Sequence, residues 1–141
     1  MKKIYTTVIA SLLLILFGCS KDFLKSYEHR IVGTWTITDV NRAGLGGNTG
    51  NLPFKQGTFS FNEDGSLTYT NLSGDVYHGS WDIRKKWTDE QRVQSLQVTA
   101  VDFANQHVLT EYYDDLNFTG TNHFKAKIMS GSHTFVTHFR R

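Results

Sequence analysis

Six histidines, one cysteine and three adjacent carboxylate pairs are the side chains best suited to chemistry in this sequence. Two of the histidines can be placed together. If Ser130-Gly131 is a two-residue hairpin loop, Met129 faces Ser132 and His123 faces His138 across the hairpin. Two imidazoles on one face can begin a zinc or copper site, but such a site needs a third ligand, and Lys125 and Lys127 share that face. No metal is therefore assigned. His29, His78, His107 and His133 show no ligand spacing. The pairs Glu63-Asp64, Asp89-Glu90 and Asp114-Asp115 fall in turns or at a helix start, where acidic side chains serve the local backbone. A serine nucleophile elbow is missing. The glycines at 44, 46, 47 and 50 are not followed by the Lys-Ser/Thr of a phosphate-cradling loop. The residues thus predict no catalytic group and no cofactor, and the chain is not read as an enzyme.

The cysteine stands apart. Lys2 and Lys3 precede an apolar run over 4–17, centred on Leu12, Leu13, Leu14, Ile15 and Leu16. A membrane span needs about 20 apolar residues, so this run suits the core of a secretory signal, which lies outside the folded domain. It ends in Leu16-Phe17-Gly18-Cys19, which resembles the bacterial lipobox. The resemblance implies cleavage after Gly18, with the Cys19 thiol as nucleophile for lipid attachment and the bilayer as a partner through the acylated Cys19. One acyl chain anchors marginally and two or more hold stably. Ser20 stands where aspartate retains many lipoproteins in the inner membrane, so the resemblance implies the outer membrane of the cell envelope. Lys21-Asp22 resembles the basic–acidic surface-export signal of some two-membrane bacteria.

Removing residues 1–18 leaves 123 of 141, one domain of ordinary size. The formal charge of +2 is carried by Lys2 and Lys3, so the mature side chains sum to about zero. No basic stripe with interleaved aromatics occurs, and nucleic acid is not an expected partner. Cys19 is the sole cysteine, which rules out an internal disulfide. The fold must rest on its apolar interior, for which the mature chain keeps 17 aromatics.

The elements that follow are β. Residues 20–30 read as a polar tether, part of which can form a helical turn. From Ile31 onward, β-branched and aromatic residues alternate with Gly, Asn, Asp and Ser clusters. Eight strands are expected, over 31–40, 57–62, 67–71, 76–84, 95–103, 107–113, 117–128 and 132–140. Thr88-Asp89-Glu90-Gln91 forms a capping box and predicts one helical turn within 85–94. Short links favour antiparallel neighbours. Eight such strands predict an all-β, up-and-down barrel, with a two-sheet sandwich as the alternative. The domains are then signal peptide 1–18, lipidated tether 19–30 and barrel 31–141.

Gly33-Thr34-Trp35 on the first strand looks like the Gly-x-Trp signature of the lipocalin superfamily. The chain also resembles lipocalin-like bacterial lipoproteins through Phe61 to Gly65, a Phe-x-x-x-Gly turn, and through Gly79-Ser80-Trp81. The resemblance covers about 31–141. It implies that a basic residue of the last strand, matched here by Arg140, packs over Trp35 at the closed end of the barrel. The Thr-Asp-Tyr-type motif of classical lipocalins and their disulfides are missing, so no ligand is carried over. An eight-stranded barrel is either filled by side chains or holds one small ligand. Phe59, Phe61, Tyr69, Trp81, Phe124 and Phe135 are the candidate lining residues. The expected function is a membrane-anchored lipoprotein binding a small apolar or amphipathic ligand. The alternative is a structural or protein-interaction module of the envelope that uses its outer surface and no small molecule, its protein partner unidentified.

Overall fold

In the computed structural model, which describes residues 25–43, 51–88 and 90–141, the strands show the expected two-residue alternation of buried and exposed side chains. There are nine: β1 Gly33–Ala43, β2 Gly57–Phe61, β3 Ser66–Thr70, β4 Val76–Trp87, β5 Arg92–Asp102, β6 His107–Tyr113, β7 Asp115–Phe118, β8 His123–Ser130 and β9 His133–Arg140. A single-turn helix, α1 Tyr27–Ile31, precedes them, its Ser26 cap accepting from the His29 amide. All pairings are antiparallel in one sheet of order β6-β5-β4-β3-β2-β1-β9-β8-β7. The all-β class is as expected. The eight-stranded closed barrel and the two-sheet sandwich are not formed.

The topology explains the difference. β6 and β7 stand at opposite ends of the strand order, yet only Asp114 separates them. Crossing a flat sheet of nine strands would take roughly 38 Å at about 4.8 Å per step. The sheet must therefore roll until its edges meet. The hydrogen-bond ladder does not close there. β6 stays with β5 as far as Leu96↔Tyr113, and β7 takes up β8 from Asp115↔Lys127. Asp114 sits at the fork. Its amide donates to Lys127 O at 2.7 Å, and its carboxylate accepts the Met129 amide at 2.8 Å and lies 3.5 Å from Lys86 Nζ. Beyond the fork, the start of β5 has no ladder partner on the β7 side, leaving an open seam.

Three local expectations are corrected. The run over 117–128 is two strands, because Thr119-Gly120-Thr121-Asn122 breaks it. The helical turn over 85–94 does not form. β4 and β5 instead pair out to Trp87↔Arg92, and Thr88 turns back by donating its amide to Gln91 O at 2.9 Å; Asp89 lies outside the described residues. The last hairpin closes as Ser130↔His133, two positions from the expected register. Gly131 has φ of +58°, as the first loop residue of a type II′ turn requires, so the loop is Gly131-Ser132. The shift keeps Phe124, Ala126 and Ile128 inward but separates the histidines: His123 faces Arg140, and His138 faces Lys125.

Aromatic rings fill the interior from end to end. Trp35 meets Phe124 edge-on at 4.7 Å, Phe124 stacks on Phe139 at 4.2 Å, Phe139 meets Phe59 at 5.8 Å, and Phe59 meets Phe54 at 5.2 Å and Tyr69 at 4.7 Å. Phe54, from the β1–β2 connection, is fully buried and plugs the end remote from α1. Ile31 is wholly buried and Tyr27 packs on Phe118, so α1 belongs to the domain and not to the tether.

At the α1 end Trp35 is sealed. Its Nε1 donates to Ile31 O at 2.6 Å. The guanidinium over its ring, 4.2 Å from the centroid, is that of Arg141. Arg141 also donates to Arg30 O at 2.9 Å and to Val32 O. Arg140 is not the closing residue, because β9 alternates: Phe139 points in and Arg140 out, and the chain turns inward only at Arg141. Gly33 accommodates this with φ of +123°, and an added Cβ would press to 3.3 Å from Arg141 Nη2. Trp35→Ala should cost roughly 3–5 kcal/mol. Arg141→Ala should cost about 1–3 kcal/mol through its stacking and hydrogen bonds, and Arg140→Ala under about 0.5 kcal/mol. Urea melts of the three variants check the order; equal loss at 140 and 141 would remove Arg141 from the seal.

Candidate functional surfaces

The expected ligand-lining residues are brought together, but against one another. Phe59, Phe61, Phe124, Tyr69 and Phe135 are at most 8% exposed. The rings of Phe59, Phe61, Tyr69 and Phe124 are in contact with one another or with Phe54 and Phe139. Trp81 is half-buried, edge-on to Phe61, and donates to Asn62 O at 3.1 Å. It borders a shallow polar cleft of about 190 Å³ with Asp82, Arg84 and Gln97. None of the other five lines that cleft, the two at the seam or the one at the α1 end.

The seam carries two of those clefts. One, of about 450 Å³, is bordered by Tyr27, Lys85, Arg92, Gln94 and Asn117; the other, of about 360 Å³, by Lys86, Glu90, Asp114 and Met129. Gln91, Val93, Asp115 and Lys127 border both, so these four residues are shared across the seam between β5 and β7. Lys127 bridges Asp115 at 3.0 Å. Gln94 Oε1 is buried there without a hydrogen-bond partner. The first cleft is lined mainly by amide and charged groups, while Val93 and Met129 give the second an apolar share. The nearby carboxylates are spread along the seam, and no general acid–base pair is assembled.

A second feature is apolar and lies at the opposite end of β5, about 34 Å of extended strand from Arg92. The ladder places His78 opposite Val101 and Val101 opposite Val108. Two residues further along the same register, Val76 comes level with Phe103 in the turn after β5. All lie on the outer face. Phe103 and Leu72 are 75% exposed and Val108 is 63% exposed. The turns that carry them are pinned. Asp102 accepts from the Ala104 amide at 2.9 Å and from Asn105 Nδ2 at 2.6 Å, fixing the turn after Phe103. Asn71 and Asp75 exchange side-chain bonds of 2.8 and 2.9 Å around Leu72. Several large apolar side chains exposed at one end of a sheet are the kind of surface that contiguous contact patches are built from.

Phe103 and Tyr112 are aromatic but point outward, as alternation from Val98 and Ala100 dictates for Phe103 and the buried neighbour Tyr113 for Tyr112. Arg141, Phe54 and Trp87 were not singled out at all. No protein-family model, curated protein or solved structure matches this chain.

The Asp102 clasp generates a pH prediction. The Asn105 side-chain bond, opposed by desolvation and helped by the two backbone amides, holds the Asp102 carboxyl below the ordinary aspartate value of 3.8. A depressed folded value means the clasp stabilises fully above the unfolded pKa and is lost as pH falls through the folded one. Carboxyl NMR titration should therefore give Asp102 a midpoint under 3.8, with the Ala104 and Asn105 amide signals shifting in step. A midpoint at or above the ordinary value would show the clasp open in solution.

Proposed function

We propose that this chain is a lipid-anchored lipoprotein of the cell envelope, acylated at Cys19 and held at the outer membrane. Its lipocalin-like domain serves as a protein-interaction module. The observation that carries this reading is the outward apolar cluster of Leu72, Val76, Phe103 and Val108, set on pinned turns at the end remote from α1. The tether enters at α1, so this cluster points away from the anchored end. A hydrophobic face held clear of the bilayer is suited to a partner protein that presents its own apolar patch. The packed aromatic column supports the same choice. A small apolar ligand inside the domain would have to part rings that sit 4.2 to 5.8 Å apart.

The module reading predicts a located contact. A photo-crosslinking residue at position 103, in cells of the host, should trap one abundant protein. The same residue at the exposed position 97, on the same strand outside the cluster, should not. Val108→Asp should cut the adduct at least about tenfold, as loss of an apolar anchor of about 1.4 kcal/mol or more would. Equal labelling at both positions, or a ligand-sized mass retained in native mass spectrometry without any protein adduct, would return the interior carrier to first place. The anchoring half is checked separately. Cys19→Ala should move the protein from the membrane fraction to the soluble one with an unchanged melting temperature, because Cys19 precedes every described element.

A further inference from the structure

We infer that the α1 end of the domain rests directly on the bilayer, as an anionic-lipid contact made by Trp87 and the cations around it. The inference rests on the Cys19 anchoring reading and adds an orientation to it.

The length of chain before the described fold sets the stage. Lys25 lies six chain steps beyond Cys19, which at full extension is at most about 21 Å. An acylated Cys19 therefore keeps the α1 end, and no other, close to the headgroups. That end is where the cations gather. Lys25, Arg30 and Arg141 border one cleft of about 200 Å³. Lys85 and Arg92 border the seam cleft beside Tyr27 of α1. Glu28 lies among them, its carboxyl held below the ordinary range first by its own backbone hydrogen bond and further by Lys85; Asp115, on the same seam cleft, is bridged by Lys127, and Glu90 borders the adjoining one. Glu63 and Asp64, on the β2–β3 turn of the same end, are set back. That turn binds β4 at Trp81, whose amide donates to Gly65 O, whereas β4 runs six residues further to Trp87.

Trp87 has no packing role. It is 75% exposed at the end of the β4–β5 ladder, paired with Arg92, whose guanidinium lies 5.6 Å from the indole centroid. Lys85, Lys86, Thr88, Asp89, Glu90 and Gln91 surround it in sequence, so it is a lone indole on a polar tip where three cations, Arg92 included, outnumber two acids. Tryptophan beside arginine is the composition of a membrane–water interface: the ring seats at the headgroup level, and the cations meet lipid phosphate. A protein partner would be expected to meet a broader apolar patch, such as the one at the far end of β5.

The test uses the mature acylated protein reconstituted in vesicles of phosphatidylglycerol and phosphatidylethanolamine. Brominated lipid should quench and blue-shift part of the tryptophan emission, and Trp87→Phe should abolish that part, leaving the buried Trp35 and half-buried Trp81 unchanged. In Lys85→Glu/Arg92→Glu the quenching should fall severalfold, each basic residue near an anionic surface being worth about fivefold in partitioning, while the protein still floats with the vesicles. Pure phosphatidylcholine should give little quenching. Trp87 fully accessible to iodide on anionic vesicles, or quenching unaffected by lipid charge or by the double variant, would overturn the contact. Mass spectrometry of the mature N-terminus decides the anchor independently. If Cys19 carries no acyl chain, the anchoring reading fails, and the same quenching measured with added vesicles still decides the surface.

Discussion

Asp114 joins two strands that stand at opposite ends of the sheet, and much of the architecture follows from that one-residue link. A chain cannot leave one edge and enter the other within a residue unless the edges touch, so the sheet is rolled. The roll turns one face inward along every strand and creates a single interior. Closure by hydrogen bonds is a separate matter, and Asp114 is where it fails. Its amide and carboxylate both bond toward β8, which draws β7 away from the start of β5. The cost is an edge of β5 with no strand beside it. Charged and amide side chains from both sides stand over that edge, the kind of surface that discourages pairing with another chain.

The rolled sheet then has to be filled. An interior of this diameter is poised between solid and hollow, and the balance here is set by ring number. Trp35, Phe124, Phe139, Phe59, Phe54 and Tyr69 touch in series, each contact within the range where edge-on and stacked rings attract. Phe54 is the residue that tips the outcome. It comes from a connection and not from a strand, so it can close an end that the strands leave open. The other end is closed by Arg141 over Trp35. With both ends stopped, the interior is packed with rings and the clefts lie at the surface.

Much of this was legible in the sequence. The all-β class and the inward faces of β8 and β9 follow from two-residue alternation, and a register error of two leaves such faces unchanged because the side-chain period is two. That same error moved every cross-strand partner, which is why the His123–His138 pair dissolved while Phe124 and Phe135 stayed inside. Gly131 could have settled it, since a two-residue II′ loop wants glycine first. The open ladder was not legible, because nothing in the composition of Tyr113-Asp114-Asp115 announces a fork; it depends on which neighbours the Asp114 groups find after folding. The closing arginine was missed for a simpler reason. Counting along β9 points Arg140 outward, and only the turn of the chain after the strand brings Arg141 back over the indole.

The two ends of the molecule differ in a way that the fold alone does not require. Either could have been polar. One carries α1, the tether and a set of cations with a single exposed indole; the other carries four outward apolar side chains on turns clasped by Asp102 and by Asn71 with Asp75. Net charge hides this separation, since the side chains beyond residue 18 sum to about zero. Its physical meaning comes from the attachment point. On the anchorage proposed at Cys19, the domain would meet two different surroundings, headgroups at one end and water at the other. Side chains that would be idle on a freely tumbling protein become directional, and a filled, rigid barrel-like body is suited to hold such a direction.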